Sequence, residues 1–473
     1  MESIAYQKCI MPDCGATYEV KEALTSCKKC GGLLDVVYDW KKVNVPKDLR
    51  FFSARLGNSN NIADMSGVWR FRELLPFISY HDPYAYLQEI VSLDGMEGWT
   101  RPIHVSTAAD YTGMSRKTLY LQFEGQNPTG SFKDNGMTAA FTHAQMVGAK
   151  RAACASTGNT SASFAAYAAN SGILEAFIFI GEGKIAYGKL SQSLEYGAKT
   201  IQIEGDFDDA MARVRELAKE KGLYLMNSVN PFRLEGQKTI MYRVLEGLDW
   251  RVPDWIVCPG GNLGNSSAFG KAFEELFQLG LINKKPRIVV VNAEGANTLH
   301  KIYNEEKIRW NNGKVDTGRI DKFYEKMDKE NKRAHTIASA IEINRPVNLL
   351  KCLRALEWTD GVVVDVTDQE ILDAKAVIGR NGMFGCEPAS ATSVAGIKKL
   401  VESKVIKPDS IVVAILTGNQ LKDPDAVVGY HAQGFNSALD EKFKNYGINS
   451  RKFQNKPIKV KNDLKEIISV MGI

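Results

Sequence analysis

One lysine of the sequence combines a nucleophilic amine with surroundings that would lower the pKa of that amine. Lys133 lies in the segment NPTGSFKDNG, between an apolar run typical of a strand and a pattern typical of a helix. The unpaired N–H groups and the dipole of a helix N-terminus disfavour an ammonium ion, so they lower the pKa of an amine placed there. Such a lysine can form a Schiff base with a carbonyl compound, whereas a surface lysine in an ordinary turn is the alternative interpretation.

Two further loops are rich in groups that bind anions. Residues 156–161 read STGNTS at the start of a helical pattern, and residues 260–265 read GGNLGN after the apolar run DWIVC. Backbone N–H groups at a helix N-terminus, supported by hydroxyl groups, bind phosphate or carboxylate. The second loop matches neither the GxGxxG nor the GxxxxGK[ST] spacing, so the sequence does not indicate a dinucleotide site.

A cysteine cluster near the N-terminus has the spacing of a metal site. Cys9 and Cys14 are followed by the closer pair Cys27 and Cys30, in the pattern C-x4-C and C-x2-C of a zinc ribbon. Four thiolates close a tetrahedral shell, so a zinc ion there would be structural. The alternative is a ribbon that has lost its metal. The other four cysteines stand in apolar contexts and are expected to be buried and reduced.

The elements that must position these loops alternate between strand and helix. From Thr118 onward, apolar runs such as TLYLQF, RAACA, DWIVC and SIVVAIL are each followed by a loop rich in Gly, Ser, Thr or Asn, and most loops lead into a helical pattern. This alternation predicts an α/β fold with mostly parallel sheets covered by helices on both faces. Ligand sites in such folds lie at the carboxyl ends of the strands, where the loops meet.

Composition narrows the classes of function. The 473 residues are 44% hydrophobic and 24% charged, as in an ordinary globular protein, and the net charge of +5 is too small to indicate nucleic-acid binding. No apolar run approaches the length of about 18 residues that spans a membrane, and the N-terminus does not resemble a secretion signal. We therefore expect a cytoplasmic protein that acts on a small molecule. The six histidines form no catalytic triad or metal-ligand pair.

Six segments together resemble the threonine synthase family, whose members depend on pyridoxal phosphate and have the tryptophan-synthase-β-like fold. They are NPTGSFKDNGMT, CASTGNTSAS, NSVNPFRLEGQKT, PGGNLGN, EPASATS and TGNQLKDP, in family order between about residues 50 and 430. The third is the most specific, because related lyases and dehydratases share the other loops but generally lack it. The pattern WxVPDW before PGGNLGN is similar to the plant-like branch of the family.

The resemblance implies a set of cofactor contacts. Lys133 would bind pyridoxal phosphate covalently and then serve as acid and base. Asn159 would bind the ring hydroxyl oxygen of the cofactor, and Thr417 would meet the pyridine nitrogen with a neutral hydroxyl. A neutral hydroxyl moderates the capacity of the pyridine ring to accept electrons from the substrate. The cofactor phosphate would be bound by Gly261, Asn262, Leu263, Gly264 and Asn265.

The substrate implied by the resemblance is O-phosphohomoserine, which brings a second phosphate. Arg233 would bind that phosphate together with Asn227 and Thr160, because a guanidinium offers a planar fork that stays charged. Ser156 and Thr157 would bind the substrate carboxylate. A salt bridge between Arg233 and Glu235 is the structural alternative. The implied reaction eliminates phosphate from Cγ and adds water at Cβ, which gives L-threonine.

The predicted organisation is a two-lobed enzyme with an N-terminal zinc ribbon. The segments are a ribbon at 1–40, a wrap with the first part of the large lobe at 41–144, a small mobile lobe at 145–245, the rest of the large lobe at 246–430 and a tail at 431–473. The charged stretch at about 304–335 is predicted to be an exposed helical insertion.

Some properties stay open on the sequence alone. A related lyase or β-replacement enzyme acting on a phosphoserine-like substrate is one alternative function, and a non-catalytic amino-acid-binding regulator on the same fold is another. Relatives are commonly dimers, so a homodimer is expected. The sequence does not reveal an allosteric effector such as S-adenosylmethionine.

Overall fold

A computed structural model describes residues 4–57, 60–77, 89–181, 187–205 and 207–473 of the chain. The strands are β1 (Ala5–Cys9), β2 (Thr17–Glu19), β3 (Leu34–Tyr38), β4 (Pro102–His104), β5 (Leu119–Phe123), β6 (Arg151–Ala155), β7 (Glu175–Gly181), β8 (Lys199–Ile203), β9 (Tyr224–Leu225), β10 (Trp255–Pro259), β11 (Arg287–Ala293), β12 (Val362–Val366) and β13 (Val412–Leu416). The helices are α1 (Arg50–Ala54), α2 (Ile62–Met65), α3 (Ser106–Thr112), α4 (Lys133–Met146), α5 (Asn159–Ser171), α6 (Tyr187–Glu195), α7 (Phe207–Lys221), α8 (Pro231–Gly247), α9 (Gly264–Gln278), α10 (Thr298–His300), α11 (Thr317–Lys329), α12 (Leu349–Trp358), α13 (Asp368–Gly379), α14 (Pro388–Glu402), α15 (Pro424–His431), α16 (Ser437–Asn445) and α17 (Leu464–Met471).

The larger sheet has six strands in the order β12-β11-β10-β13-β5-β4. Its neighbouring strands are parallel except for β4, which runs antiparallel to β5. Successive side chains of β10 enter different apolar cores: Ile256 packs in a core with α8, α9 and α12, and Val257 packs in a core with α3, α13 and α14. Both faces of the sheet are therefore covered by helices, which explains why its strands are continuous apolar runs.

The smaller sheet has four parallel strands in the order β8-β7-β6-β9. It is also covered on both faces, since Cys154 packs in a core with α4 and α5 while Ala153 packs in a core with α7. These two covered and mostly parallel sheets confirm the predicted α/β class. The loops after β6, β10 and β13 leave the carboxyl ends of their strands, where a ligand site is expected.

The N-terminal ribbon is a separate antiparallel sheet with the strand order β2-β1-β3. Gln7 of β1 pairs with Tyr18 on one side and with Val36 on the other. Val36 and Tyr38 of β3 belong to an apolar cluster that also holds Phe232 of α8. The ribbon therefore shares part of its core with the rest of the chain.

Other predictions about single elements can be compared directly. The four cysteines outside the cluster are all buried, as predicted. Helix α11 lies within the charged stretch and buries only Ile320, whereas Ile308, Trp310 and Val315 of the same stretch pack in the core with α8 and α9. Helix α17 buries none of its residues. In the part of the chain that the structure describes, no helix combines the length and the apolar character needed to cross a membrane.

A buried histidine joins the ribbon to the smaller sheet. The ring of His143 in α4 lies 2.6 Å from Val20 O through Nε2 and 2.7 Å from the Tyr224 hydroxyl through Nδ1. Because Val20 O can only accept, Nε2 carries the proton, and the Tyr224 hydroxyl donates to Nδ1. Burial lowers the pKa of His143 to about 4, since a charged ring would have to give up its water.

His143 should make the protein sensitive to mild acid. Its pKa in the folded protein lies below the value of about 6.5 for an unfolded chain, so the unfolded state binds the extra proton as the pH falls. Between pH 7 and pH 5 the free energy of unfolding should fall by about 2 kcal/mol through this residue alone. Urea unfolding at the two pH values should show a smaller fall in His143→Gln, and equal falls in both proteins would contradict the assignment.

Candidate functional site

The loop that carries Lys133 is bound to the end of the central strand β13. The Phe132 amide donates to Thr417 O at 2.9 Å, and Ser131 forms an isolated antiparallel bridge with Gly418. Helix α4 begins at Lys133, as predicted, and the Lys133 amine lies 4.2 Å from the centre of the Phe132 ring. Lys133 and Thr417 therefore meet at the carboxyl end of the six-stranded sheet.

The residues that follow Lys133 are held by buried hydrogen bonds. The Asp134 carboxylate accepts from the Thr129 amide at 2.8 Å and from the Ser163 hydroxyl at 2.6 Å. The Asn135 amide donates to Glu124 at 2.8 Å. Both side chains are fully buried, and Ser163 belongs to α5 beside the smaller sheet. These contacts fix the first turn of α4 and so limit the positions that the Lys133 amine can take.

Two residues that the sequence analysis did not select complete the surroundings of Asn159 and Thr417. Asn159 Nδ2 donates to Glu387 Oε1 at 2.7 Å, and Thr417 Oγ1 lies 2.9 Å from Ser390 Oγ. Ser390 Oγ also accepts from the Gly418 amide at 2.9 Å, so its own proton can go to Thr417. The Thr417 hydroxyl can then donate its own proton to the pyridine nitrogen of a bound cofactor. Both Glu387 and Ser390 lie in EPASATS, whose proline opens α14, and this start of a helix was the available signal.

The Gly-rich loop after β10 leaves no space for side chains on its glycines. A Cβ on Gly261 would lie 3.0 Å from Ile341 Cγ2, and one on Gly260 would lie 2.6 Å from Asn292 Nδ2. Leu263 has a φ of 62°, which turns the chain into α9 at Gly264. Asn265 Oδ1 is buried and has no hydrogen-bond partner in the described part of the chain. A backbone cradle at a helix N-terminus fits the phosphate of pyridoxal phosphate.

Asn348 connects this loop to the segment that carries Asn227 and Arg233. Its Nδ2 donates to Ser228 O at 3.1 Å and to Asn262 O at 3.3 Å. The side chain of Asn262 also forms a hydrogen bond within the protein, because its Oδ1 accepts from the Val347 amide at 3.3 Å. The sequence analysis did not select Asn348, which lies far along the chain from both of its partners.

The loop after β6 is shaped by its own hydroxyl groups. Ser156 Oγ accepts from the Gly158 amide at 3.1 Å, and Ser161 Oγ donates to Gly158 O at 2.7 Å. Thr157 and Thr160 are partly exposed. Asn227 holds the start of the loop, since its Oδ1 accepts from the Ala155 amide at 3.0 Å and its Nδ2 donates to Ala155 O at 2.9 Å.

Arg233 is a buried cation that has no carboxylate beside it among the residues that the structure describes. The residue is 1% exposed, and Nη1 donates to Met226 O at 2.8 Å. Nε and Nη2 have no partner among the described residues. Burial lowers the pKa of Arg233 to about 10, and the nearby Cys154 thiol opposes this shift. Because a buried charge is costly without a partner, the arrangement indicates a binding site for an anion.

The alternative salt bridge between Arg233 and Glu235 does not form. Glu235 instead pairs with Lys238 at 2.7 Å and with Lys271. The backbones of α4 and α8 touch at this point, since a Cβ on Gly136 would lie 2.8 Å from Arg233 O and one on Gly236 would lie 1.9 Å from Asn135 O. Arg233 thus lies next to the helical turn that follows Lys133.

The four cysteines of the ribbon come together. Their sulfur atoms all lie within 4.8 Å of one another, with Cys9 and Cys30 3.4 Å apart and Cys14 and Cys27 3.6 Å apart. A tetrahedral zinc ion with bonds of about 2.3 Å needs sulfur atoms about 3.8 Å apart. The donor set therefore fits a structural zinc ion.

Comparison with known proteins decides the family. Residues 94–418 match the family model described as pyridoxal-phosphate dependent enzyme. The threonine synthase of Methanocaldococcus jannaschii is 42% identical over 422 residues, which cover 89% of this chain and 94% of that protein. The chain belongs to the threonine synthase family. A second member of the threonine synthase family, from Methanosarcina acetivorans, is 40% identical over 421 residues, or 89% of this chain and 93% of the relative.

The solved structures agree on the fold. Threonine synthase from Escherichia coli is similar with a TM-score of 0.60 over 96% of this chain and 97% of that chain. Because the two sequences are only 18% identical, this likeness shows the fold alone. As a member of the threonine synthase family, the chain is a lyase that depends on pyridoxal phosphate.

The contact between α4 and α8 can be tested with one methyl group. Gly236→Ala should lower the free energy of unfolding by about 1–3 kcal/mol or more, because its Cβ would overlap Asn135 O and force the helices apart. Gly379→Ala in α13 is the matched control, since a Cβ there has no atom within 4 Å. Urea unfolding of the two variants measures the difference, and equal stabilities would contradict the close approach.

Proposed function

We propose that this enzyme converts O-phosphohomoserine and water into L-threonine and inorganic phosphate. The observation that carries the proposal is the buried guanidinium of Arg233, with two nitrogen atoms that have no partner among the described residues. A substrate phosphate would supply the missing negative charge. Relatives named threonine synthase support threonine as the product.

The cofactor contacts are part of the same proposal. Lys133 carries pyridoxal phosphate covalently, and the backbone of residues 261–265 binds its phosphate. Asn159 donates to the ring hydroxyl oxygen with the amide hydrogen that Glu387 does not take, and Thr417 donates to the ring nitrogen. When bound, pyridoxal phosphate supplies an electron sink for negative charge on the substrate. The neutral hydroxyl of Thr417 limits that sink, because it cannot keep the nitrogen protonated as a carboxylate would.

The substrate lies between the two sheets. Its phosphate binds Arg233, with Thr160 and Asn227 beside it. The Asn227 amide keeps a second hydrogen for the phosphate, since Ala155 O takes only one. The substrate carboxylate binds the hydroxyl groups of Ser156 and Thr157. The two anion sites are distinct, because the loop after β10 is reserved for the cofactor.

Lys133 moves the protons of the reaction. Once the substrate amine has displaced Lys133 from the cofactor, the freed amine would take the Cα proton and then a Cβ proton, and phosphate would leave from Cγ. The amine returns a proton to Cγ, after which water adds a hydroxyl group at Cβ and a proton is restored at Cα. One water is consumed and one phosphate is released for each threonine. Arg233 remains charged throughout and therefore holds the phosphate after it has left.

Substitution of Arg233 tests the proposal directly. Arg233→Ala should lower kcat/KM for O-phosphohomoserine by about one to two decades or more, because a charge-assisted contact to phosphate is lost. Inhibition by inorganic phosphate should weaken in parallel. The absorbance of the lysine-bound cofactor should stay unchanged. Steady-state kinetics and a visible spectrum measure all three quantities.

Graded controls separate the possible failures. Arg233→Lys keeps the charge but not the planar fork, so its kcat/KM should lie between those of wild type and Arg233→Ala. Loss of bound pyridoxal phosphate in Arg233→Ala would mean that the two anion sites are exchanged. Turnover of O-phosphoserine in place of O-phosphohomoserine would favour a β-replacement enzyme, and no turnover of either would favour a non-catalytic regulator.

We also propose that Cys9, Cys14, Cys27 and Cys30 bind one zinc ion that supports the ribbon and takes no part in the chemistry. The turn around the second pair supports this, because the Cys27 amide donates to Gly32 O at 2.8 Å and the Gly31 amide donates to Cys27 O at 2.8 Å. The homodimer and the cytoplasmic location stay predictions of the sequence.

Metal content tests the zinc proposal. Freshly purified, reduced protein should contain about one zinc ion per chain. Cys27→Ser should lose most of the metal and unfold at a lower temperature while keeping residual turnover. Cys352→Ser is the matched control, since Cys352 is buried far along the chain near Ser266 and should leave the metal content unchanged. Wild-type protein without metal would refute the proposal.

A further inference from the structure

The ribbon contacts the same turn of α8 that presents Arg233. Phe232, the residue before Arg233, shares an apolar cluster with Val36 and Tyr38 of β3. The ring of Phe232 also stacks on His143, with the ring centres 3.5 Å apart. Arg233 itself extends toward Met226 O beside the smaller sheet. The first turn of α8 therefore has the ribbon on one side and the anion site on the other.

A chain of hydrogen bonds runs from the ribbon backbone to the start of α8. His143 Nε2 donates to Val20 O, and the Tyr224 hydroxyl donates to His143 Nδ1. Asn230 Nδ2 in turn donates to the Tyr224 hydroxyl at 3.1 Å. Asn230 is the N-cap of α8, and its Oδ1 accepts from the Phe232 amide at 3.0 Å. The His143 ring and the Tyr224 hydroxyl each donate one hydrogen bond and accept one, and Asn230 Nδ2 uses its second hydrogen for Leu225 O at 3.0 Å, so these side chains are fully satisfied.

A second connection uses buried charges. The Tyr38 hydroxyl donates to Glu235, which lies two residues after Arg233, and accepts from Lys238 at 3.2 Å. Glu235 and Lys238 are fully buried. Lys271 of α9 joins them, since its amine contacts both Glu235 and Val36 O. Strand β3 thus holds α8 and α9 together, the two helices whose first turns face the proposed anion sites.

We infer that the ribbon is a positioning unit for the substrate phosphate site, and that it acts through two positioning residues, Tyr38 of β3 and Tyr224 of β9, the second of which it contacts through His143. This inference rests on the proposed function, because it assigns Arg233 to the phosphate. Neither tyrosine is among the residues proposed to bind the substrate. Each one sets the position of the first turn of α8, and through it the direction in which the Arg233 guanidinium points. Loss of either hydroxyl should misplace the guanidinium while the cofactor stays bound.

The experiment compares three variants of the holoenzyme, each lacking one buried tyrosine hydroxyl. Tyr224→Phe breaks the hydrogen-bond chain, and Tyr38→Phe removes the contact with Glu235. Tyr430→Phe is the matched control, because Tyr430 is buried in α15 and donates to Asp373 away from α8. The measured quantities are the Kd of inorganic phosphate, KM and kcat for O-phosphohomoserine, the cofactor absorbance and the midpoint of urea unfolding.

Tyr224→Phe and Tyr38→Phe should both differ from the control in phosphate binding. We expect Kd and KM to rise about threefold to tenfold in Tyr224→Phe and in Tyr38→Phe, with kcat within about twofold and unchanged cofactor absorbance. Tyr430→Phe should keep the wild-type Kd and KM even where its stability falls. If one of these two variants does not fold, the other decides.

Two results would overturn the inference and are distinguishable. If all three variants lose similar stability and keep the wild-type Kd of phosphate, while Arg233→Ala weakens it, the ribbon has only a structural role and the proposed function stands. If Arg233→Ala also leaves the Kd of phosphate unchanged, the phosphate is bound elsewhere, and the inference falls together with the assignment of Arg233.

Discussion

Helices α4 and α8 touch through their backbones, and the arrangement of the cleft depends on that contact. Gly136 and Gly236 make it possible, because a Cβ on either residue would overlap the backbone of the opposite helix. Helix α4 begins with Lys133, and the first turn of α8 contains Arg233. Lys133 and Arg233 therefore lie in adjoining turns of two helices. The helices cannot move apart without losing this backbone contact.

Buried charges hold the same two helices in place. Glu124 and Arg243 of α8 form a fully buried pair at 2.9 Å, and Glu124 also binds Asn135 of α4. Burial opposes the ionisation of Glu124, but Arg243 and several hydrogen bonds lower its pKa below the ordinary value. Arg233 differs from these balanced groups, because its charge faces no carboxylate in the described part of the chain. A buried guanidinium with open nitrogen atoms supports the proposal that an anion binds there.

The sequence by itself determined the features that depend on neighbouring residues. The position of Lys133 at a helix start, the Gly-rich loop from Gly260 and the α/β alternation all follow from local patterns of apolar, polar and glycine residues. The cysteine spacing likewise predicted the cluster, since each pair lies in one short turn. The anion sites were predicted at the carboxyl ends of strands because parallel sheets place their loops there.

Only the tertiary structure decided which partners these residues have. The sequence could not tell whether Arg233 pairs with Glu235, because that depends on Lys238, Lys271 and Tyr38, and Tyr38 lies 197 residues away in the chain from Glu235. The sequence could equally not predict the contact of Glu387 with Asn159, or the contacts of Asn348 with two separate loops. Hydrogen bonds between distant residues leave no periodic pattern in the sequence, and burial of a charge becomes visible only when the helices around it are packed.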